Sequence, residues 1–166
     1  MTPLEEFLQA TPFFGGLQPG QMAHLSERLK VLEVMPGEQV FREGEQGRSM
    51  YLVEAGELCA WQAADGHAVK LLRFSKGDFF GETTLIAMQP RPWTVLAEGP
   101  ARLRELTNSD LHALYKLDVG AYVMVLQNIN RELCRRLQRA GNRITEIADA
   151  DDDVTQIRSD GVRRPR

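Results

Sequence analysis

The chain has 166 residues, a formal net charge of −3 and the apolar and charged fractions of a soluble protein, which together indicate one globular domain with short additions. The small negative charge provides no overall attraction to nucleic acid or to an acidic membrane surface. Only two cysteines are present, Cys59 and Cys134. Their wide separation argues against both a disulfide framework and a structural zinc site.

The N-terminal segment resembles neither a secretory signal nor a membrane helix. Glu5 and Glu6 interrupt the first ten residues, and no apolar run approaches the roughly 20 residues that a membrane span needs. We therefore expect a cytoplasmic protein without a membrane partner.

Two short helices are predicted at the start of the chain, separated by the turn Thr11-Pro12. Pro19-Gly20 forms a break directly before the second helix. Each pattern places its apolar residues on one helical face: Leu4, Phe7 and Leu8 in the first, and Met22, Leu25 and Leu29 in the second.

A series of short strands is predicted from Lys30 to about Thr107. Turn signals such as Pro36-Gly37, Ala55-Gly56 and Lys76-Gly77 separate short apolar stretches at nearly even spacing. This pattern is typical of a β-sandwich or barrel. The stretches are Val31 to Val34, Gln39 to Phe41, Met50 to Val53, Leu58 to Trp61, Val69 to Phe74, Thr94 to Ala97 and Arg102 to Leu106.

The chain then returns to helical periodicity. The capping cluster Asn108-Ser109-Asp110 precedes a short helix, Gly120 is a predicted break, and a long helix follows over Val119 to Ala148. Residues 149–166 are predicted to be a disordered tail. The long helix has a heptad-like apolar stripe of Leu126, Ile129, Leu133, Leu137, Ala140, Ile144 and Ile147, opposite an arginine-rich face.

One stretch combines a glycine turn, a short helix and an arginine in a pattern suited to binding an anion. Gly81 permits backbone geometry that a side chain forbids, and Glu82 to Ala87 can form a short helix whose first N–H groups lack helical partners. Pro90 ends this helix. Arg91 then begins the next strand, from which its forked guanidinium can reach two phosphate oxygens.

Glu82 has two interpretations, because a carboxylate beside a phosphate is repulsive. It can accept hydrogen bonds from a sugar hydroxyl, and sugar plus phosphate in one pocket implies a nucleotide. Alternatively, it favours the helix N-terminus and forms a salt bridge with Arg91. The residues alone leave both alternatives open.

The same stretch resembles the phosphate-binding cassette of the cyclic-nucleotide-binding domain family. The matching run is Phe80-Gly81-Glu82-x-x-Leu85-Ile86-x-x-x-Pro90-Arg91-x-x-Thr94-Val95. Upstream, Gly37-Glu38-x-Val40-Phe41-x-Glu43-Gly44-Glu45-x-Gly47 and Met50-Tyr51-Leu52-Val53-x-x-Gly56-Glu57-Leu58 resemble the family's early strands and glycine turns. The resemblance covers roughly Pro12 to Ile147. It implies a mainly β fold, an eight-stranded jelly-roll barrel with N-terminal helices and a long C-terminal helix, as one domain over residues 1–148.

The resemblance also implies roles for individual residues. Glu82 would bind the ribose 2′-hydroxyl and Arg91 the cyclic phosphate. Gly81 and the backbone near Thr83 and Thr84 would support both groups. Gly44 and Gly56 would be structural turn glycines, and the long helix would cap the base or pair with a second chain.

Two residues beside the arginine depart from the family pattern. Pro92 lacks the backbone N–H that helps to hold the phosphate, and Trp93 replaces a small residue. In a regular strand, Trp93 shares the inner face with Arg91 and either packs there or stacks on the base. A bulge at Pro92 would instead turn it outward.

We predict a non-catalytic module that binds cAMP or cGMP and signals through its terminal helices. The alternative is a degenerate domain of the same fold that serves as a dimerisation or docking unit without nucleotide. A homodimer through the C-terminal helix and an unidentified protein effector are the expected partners. We expect no cofactor besides the nucleotide, no metal and no nucleic-acid partner, because few residues follow the long helix and the three histidines lie in separate elements.

Overall fold

The computed structural model describes the backbone of residues 2–150 and the side chains of residues 2–148. The chain divides into a compact unit, Met1–Ile129, and a second unit, Asn130–Arg166. The single domain predicted over residues 1–148 stays a prediction. The predicted tail lies outside the described residues, apart from the helical backbone of residues 149 and 150.

Helices flank a central β region, as the sequence predicts. The N-terminal helices are α1 (Pro3–Ala10) and α2 (Pro19–Ser26), with a 3-10 turn at Pro12–Phe14 between them. Helix α3 (Glu82–Ala87) lies within the β region. Helices α4 (Asn108–Leu117) and α5 (Val119–Ala150) follow the last strand.

The strands form two separate antiparallel sheets, each with four strands. One sheet has the order β1-β8-β3-β6 and the other β2-β7-β4-β5. The mainly β fold with flanking helices is confirmed. The predicted eight-stranded barrel is not closed, because the hydrogen-bond ladders stop at the edge strands of each sheet, and its jelly-roll form stays a prediction. The strands are β1 (Lys30–Val34), β2 (Gln39–Phe41), β3 (Ser49–Ala55), β4 (Leu58–Ala64), β5 (His67–Phe74), β6 (Phe79–Phe80), β7 (Thr94–Ala97) and β8 (Ala101–Thr107).

One buried apolar cluster contains side chains from both sheets. Phe80 of β6 stacks on Phe74 of β5 with ring centroids 4.9 Å apart and lies 5.8 Å from the ring of Phe41 in β2. Tyr51 and Val53 of β3 join this cluster. This core fixes β2, β3 and β6, the three strands from which the candidate site is built.

A second apolar layer lies on the other face of the β1-β8-β3-β6 sheet. Because side chains alternate along a strand, Met50 and Leu52 point away from the cluster that contains Tyr51. The N-terminal turn packs on this side, where the Phe13 ring lies 5.6 Å from Phe79. Asn128 of α5 donates hydrogen bonds to the carbonyl oxygens of Phe13 and Gly15, at 2.9 and 2.8 Å.

The break between α4 and α5 lies at Asp118, not at the predicted Gly120. Asp118 has extended backbone, with φ −156° and ψ 105°, and its carboxylate accepts a hydrogen bond from the Ala121 N–H at 3.1 Å. An aspartate that caps the next helix stops the preceding one as effectively as glycine does. Gly120 therefore lies inside the first turn of α5.

Within the described residues, no helix is both long and apolar enough to cross a membrane.

Candidate functional site

The candidate site begins where β6 ends and α3 starts. Gly81 caps α3 with φ 83°, a left-handed conformation that glycine adopts without strain. Helix α3 then runs for six residues, Glu82–Ala87, and ends at Met88, also left-handed with φ 52°. The predicted glycine turn and short helix are confirmed.

Contrary to the sequence prediction, Arg91 does not begin the next strand. It lies in the loop before β7, three residues before the first strand residue, Thr94, and its side chain points into the protein. It is only 4% exposed. Nη1 donates to the Gly81 carbonyl oxygen at 3.0 Å and to the Thr84 hydroxyl oxygen at 3.3 Å. Nη2 donates to the Ser49 carbonyl oxygen at 2.8 Å. The arginine thereby joins α3 to the start of β3.

The Arg91 guanidinium is in close contact with Phe41 and with the backbone at Gly47. Its Cζ lies 4.1 Å from the centroid of the Phe41 ring, a cation–π distance. A Cβ at Gly47 would lie 2.4 to 2.5 Å from guanidinium atoms, so a side chain at this position would displace the guanidinium. Phe41 and Gly47 thus fix where the guanidinium lies.

The backbone of Arg91 is fixed as well. Its N–H donates to the Glu45 carbonyl oxygen at 2.8 Å, and its own carbonyl oxygen accepts from the Gly44 N–H at 2.9 Å. This pair of bonds ties the arginine loop to the turn after β2. The backbone from which the Arg91 side chain extends is therefore held in place by two hydrogen bonds.

Burial lowers the pKa of Arg91, because the charged guanidinium has lost water. The charges of Tyr51, Glu45, Glu82 and Glu105 oppose this effect and raise the pKa. Burial also raises the pKa of Tyr51, which accepts a hydrogen bond from the Ser49 hydroxyl at 3.2 Å. The charged Arg91 side chain is thus buried, and the nearby carboxylates of Glu45, Glu82 and Glu105 favour its charged form.

Glu82 occupies the first position of α3 and is 1% exposed. Its charge acts on the pKa of Arg91, so the two predicted binding residues lie in one electrostatic environment. Thr84 is also buried and contacts Arg91, whereas Thr83 is half-buried. The structure therefore brings Gly81, Glu82, Thr84 and Arg91 together.

Pro92 and Trp93 follow Arg91 before β7 begins. Trp93 is half-buried and packs against the apolar cluster shared by the two sheets. Of the inward and outward positions that the sequence left open for Trp93, the inward one is observed, although Arg91 and Trp93 precede β7 and do not lie in a regular strand. Pro92 is half-buried beside it and has no N–H to offer.

A cleft of about 690 Å³ lies beside this site, between α3 and the start of α4. Gly47 and Thr84, both neighbours of Arg91, line it together with Arg48 and Gln89. Glu82 and Arg91 do not line it. The two charged residues thus lie behind the wall of the cleft.

The sequence model of the family described as "Cyclic nucleotide-binding domain" matches residues 31–118, more than half of the chain. The chain belongs to the cyclic nucleotide-binding domain family. Residues 31–118 run from β1 through α4 and contain the whole of the site described above.

Known relatives of this cyclic nucleotide-binding domain include kinase regulatory subunits. A cAMP-dependent protein kinase regulatory subunit from Hypocrea atroviridis is 33% identical over 102 residues, which is 61% of this chain and 21% of that protein. The chain therefore spans about a fifth of that relative's length.

Solved structures share the fold of the domain. A cyclic nucleotide-binding domain from Methylobacillus flagellatus has a TM-score of 0.78 at 19% identity, over 87% of this chain and 82% of that one. The regulatory domain of Toxoplasma gondii PKA, crystallised with cAMP, has a TM-score of 0.66 at 24% identity, over 78% and 49%. At these identities the likeness establishes the fold alone.

Sequence reasoning missed Phe41, Ser49 and the full role of Gly47. Phe41 appears in the sequence only as part of an apolar strand, and Ser49 contributes a backbone carbonyl that no side-chain pattern reveals. The sequence shows only that residue 47 is a glycine; the structure shows that its φ lies outside the left-handed region, so close approach of Arg91 and not a turn accounts for it.

Proposed function

We propose that this domain is a non-catalytic regulatory module that binds a cyclic nucleotide, cAMP or cGMP. The observation that carries the proposal is the joining of Arg91 to the α3 turn, with Nη1 3.0 Å from the Gly81 carbonyl oxygen, in a chain of this family. The name of the Hypocrea relative supports cAMP as the first ligand to test.

In this proposal, the cyclic phosphate takes over the donors of Arg91. The guanidinium now donates to neutral acceptors, two carbonyl oxygens and one hydroxyl. A phosphate is a stronger acceptor than these neutral oxygens, because its negative charge also attracts the positive guanidinium and its oxygens can accept two bonds from the forked side chain. The guanidinium therefore exchanges its hydrogen bonds within the chain for hydrogen bonds to the phosphate, and its N–H donors remain bonded.

Glu82 would bind the ribose 2′-hydroxyl in the same proposal. Its carboxylate is 1% exposed, so α3 must shift outward before a sugar can reach it. The cleft that Gly47 and Thr84 line gives α3 space on one side. Gly81, Thr83 and Thr84 would then support the sugar and the phosphate through their backbone, and Trp93 would lie at the inner edge of the pocket.

The movement of α3 gives the domain a way to signal. A ligand that binds only the shifted position changes the population of that position, and elements in contact with α3 respond. We propose that the terminal helices transmit this change to an effector protein, within a cytoplasmic protein.

Thermal unfolding in the presence of each nucleotide tests the proposal. At about 100 times its dissociation constant, a ligand adds about 2.7 kcal/mol of stability, which raises the melting temperature measurably. We expect the shift for wild type, and its loss in Glu82→Gln and Arg91→Lys. Arg42→Lys, a change at an exposed arginine in the neighbouring turn, is the matched control and should keep the shift. Absence of any shift in wild type at millimolar cAMP and cGMP would refute the proposal.

The alternative, a docking unit of this fold without nucleotide, rests on a different observation. Arg91 already has three acceptors within the chain, and it is sealed from the adjacent cleft. Membership of the family favours the nucleotide, because the resemblance extends through both Glu82 and Arg91. The melting experiment decides between the two functions.

We also propose a homodimer through the C-terminal helix, as the heptad-like stripe predicts. This second proposal needs no nucleotide and is compatible with either function of the pocket. A doubled mass in light scattering is its test.

A further inference from the structure

Three aromatic side chains meet where α4 is followed by α5. One face of α4 presents four residues at intervals of three, one and three positions, the spacing of neighbours on a helix: Asn108, Leu111, His112 and Tyr115. Tyr122 comes from the first turn of α5. None of the three aromatic rings contributes to the nucleotide site described above, so their grouping needs an explanation of its own.

The break between the two helices brings Tyr115 and Tyr122 together. On one continuous helix, seven residues would separate them by about 10 Å along the axis. The extended backbone of Asp118 interrupts the helix, and its carboxylate accepts hydrogen bonds from the Ala121 N–H at 3.1 Å and from Nε2 of Gln21 at 2.5 Å. The two tyrosine rings consequently lie with their centroids 5.5 Å apart.

The orientation of the rings suits a compact ligand and not a flat one. The planes of Tyr115 and Tyr122 meet at 78°, close to the right angle between two walls of a box. The ring of His112 stacks on Tyr115 with an interplanar angle of 17° and centroids 6.0 Å apart. Because these two rings already stack on each other, a flat ligand has no room between them.

The three rings line a pocket of about 240 Å³ together with Leu111 and Asn108. Leu111 is buried and adds an apolar surface, whereas Tyr115 is 46% exposed, so solvent reaches the pocket. No lysine, arginine or carboxylate is among the five lining residues. Because the face of an aromatic ring carries partial negative charge, a pocket built mainly from such rings attracts a cation.

A trimethylammonium group matches this lining better than an ammonium group does. An ammonium is a strongly hydrated point charge whose three N–H groups need acceptors, and no carboxylate lines the pocket. A trimethylammonium group has no N–H to satisfy, and its methyl groups can contact both the rings and the side chain of Leu111. Aromatic rings recognise quaternary ammonium groups in this way in many proteins.

We propose that the pocket between α4 and the first turn of α5 binds a trimethylammonium group, carried either by a free small molecule or by a trimethylated lysine side chain. Tyr115, Tyr122 and His112 supply the aromatic walls, and Leu111 supplies the apolar floor. The inference does not depend on the nucleotide, because no ring of this pocket touches Arg91 or its partners.

Nuclear magnetic resonance titration of the full chain with tetramethylammonium and with choline tests the charge preference. At about pH 8, where an ordinary imidazole is neutral, we expect saturable binding with a dissociation constant on the order of 1 mM, the strength that two or three cation–π contacts provide. The neutral analogue of choline, in which carbon replaces the quaternary nitrogen, should bind at least about tenfold more weakly. Equal affinities for choline and this analogue would show a merely apolar cavity and overturn the proposal.

Substitutions at Tyr115 test the role of the ring. Tyr115→Leu keeps an apolar side chain but removes the π face, and it should weaken the binding of tetramethylammonium at least about tenfold. Tyr115→Phe keeps the face and should bind as wild type does. Val123→Ala, beside Tyr122 but not in the lining, is the matched control and should also leave the affinity unchanged. An unaltered affinity in a folded Tyr115→Leu variant contradicts the proposal.

A comparison of choline with a peptide that contains trimethyllysine distinguishes the two sources of the group. Tighter binding of choline identifies a free small molecule, and tighter binding of the peptide identifies a modified protein. No saturable binding of tetramethylammonium, choline or the peptide overturns the proposal. A nucleotide titration of Tyr115→Leu should match that of wild type, so failure at this pocket is separate from failure at the nucleotide site.

Discussion

Arg91 donates three side-chain hydrogen bonds within the chain, so its place in the fold depends on residues around it. Phe41 supports one face of the guanidinium at 4.1 Å, and Gly47 leaves space that a side chain would take from the guanidinium. The arginine is therefore positioned before any nucleotide arrives, and preorganisation of this kind reduces the entropy lost on binding.

Gly47→Ala should separate binding from folding. Its new Cβ would lie 2.4 Å from Nε of Arg91, and the end of a flexible side chain can move away at small cost in stability. We expect a folded protein with nucleotide affinity reduced at least about tenfold, which is about 1.4 kcal/mol. Calorimetric titration measures the affinity and urea unfolding the stability.

The matched control is Gly20→Ala, where a Cβ meets nothing within 4 Å. This variant should bind as wild type does. Equal affinities for Gly47→Ala and wild type would show that the guanidinium position is irrelevant to the ligand.

Pro92→Ala should strengthen nucleotide binding. The proline removes a backbone N–H directly beside Arg91, and a hydrogen bond from that N–H to a phosphate is worth roughly 1.5–3 kcal/mol. Restoring it should increase affinity by about tenfold or more. The exposed Pro90 gives the control variant, Pro90→Ala, which should leave the affinity unchanged. An unaltered affinity in Pro92→Ala would mean that the N–H at this position does not face the phosphate.

The residues of the site were partly predictable from the sequence. Gly81, Glu82 and Arg91 have distinctive types at distinctive spacing, and the structure brings them together. The acceptors of Arg91 were not predictable, because the Ser49 carbonyl oxygen lies 42 positions away in the chain and belongs to the backbone. Long-range contacts of this kind depend on how the sheets pack and not on any local pattern.

At the scale of elements, the carboxylate of Glu132, near the centre of helix α5, forms ion pairs with Arg135, Arg136 and Arg139. Burial alone would raise the pKa of Glu132, but the hydrogen bond from Arg135 and the charge of Arg136 hold it below its ordinary value of 4.5. A lowered pKa means that the folded helix favours the ionised form. The stabilisation is therefore complete above the ordinary value and is lost as the pH falls through the lowered one.

Acid should weaken α5 through Glu132. We expect wild type to lose helical ellipticity at 222 nm between about pH 5 and about pH 3, and the helicity difference between wild type and Glu132→Gln to vanish over the same range. Glu146→Gln, at an exposed position of the same helix, is the control. A difference between wild type and Glu132→Gln that stays constant with pH would contradict the assigned role.

Most of the helices and strands were predictable from the sequence, and the exceptions have physical reasons. Alternating apolar residues and glycine turns predicted the longer strands, because both signals are local. The two-residue strand β6 is too short to show any alternation, so it has no local signal in the sequence. The sequence could not show that the barrel is not closed, because closure depends on hydrogen bonds between edge strands that are distant in sequence.

At the scale of the whole molecule, the compact unit of residues 1–129 contains the candidate site, and the exposed residues of the heptad-like stripe, Leu137, Ile144 and Ile147, belong to the unit from residue 130 onward. The two proposals are therefore separable. Loss of the dimer in Leu137→Asp should leave the affinity of the pocket for nucleotide intact, because the groups that hydrogen-bond to Arg91 or stack on it all lie before residue 94. A linked loss of both would show that the dimer contributes to the pocket.

Calorimetric titration of the wild-type chain with cAMP tests the central claim most directly, with 5′-AMP as the uncyclised control. We predict saturable heat with one cAMP bound per chain and none for 5′-AMP, since the pocket offers one guanidinium for a single-charged cyclic phosphate and several carboxylates that oppose a second charge. No heat with cAMP or cGMP at millimolar concentration, from a protein that unfolds cooperatively, would contradict the claim that this domain binds a cyclic nucleotide.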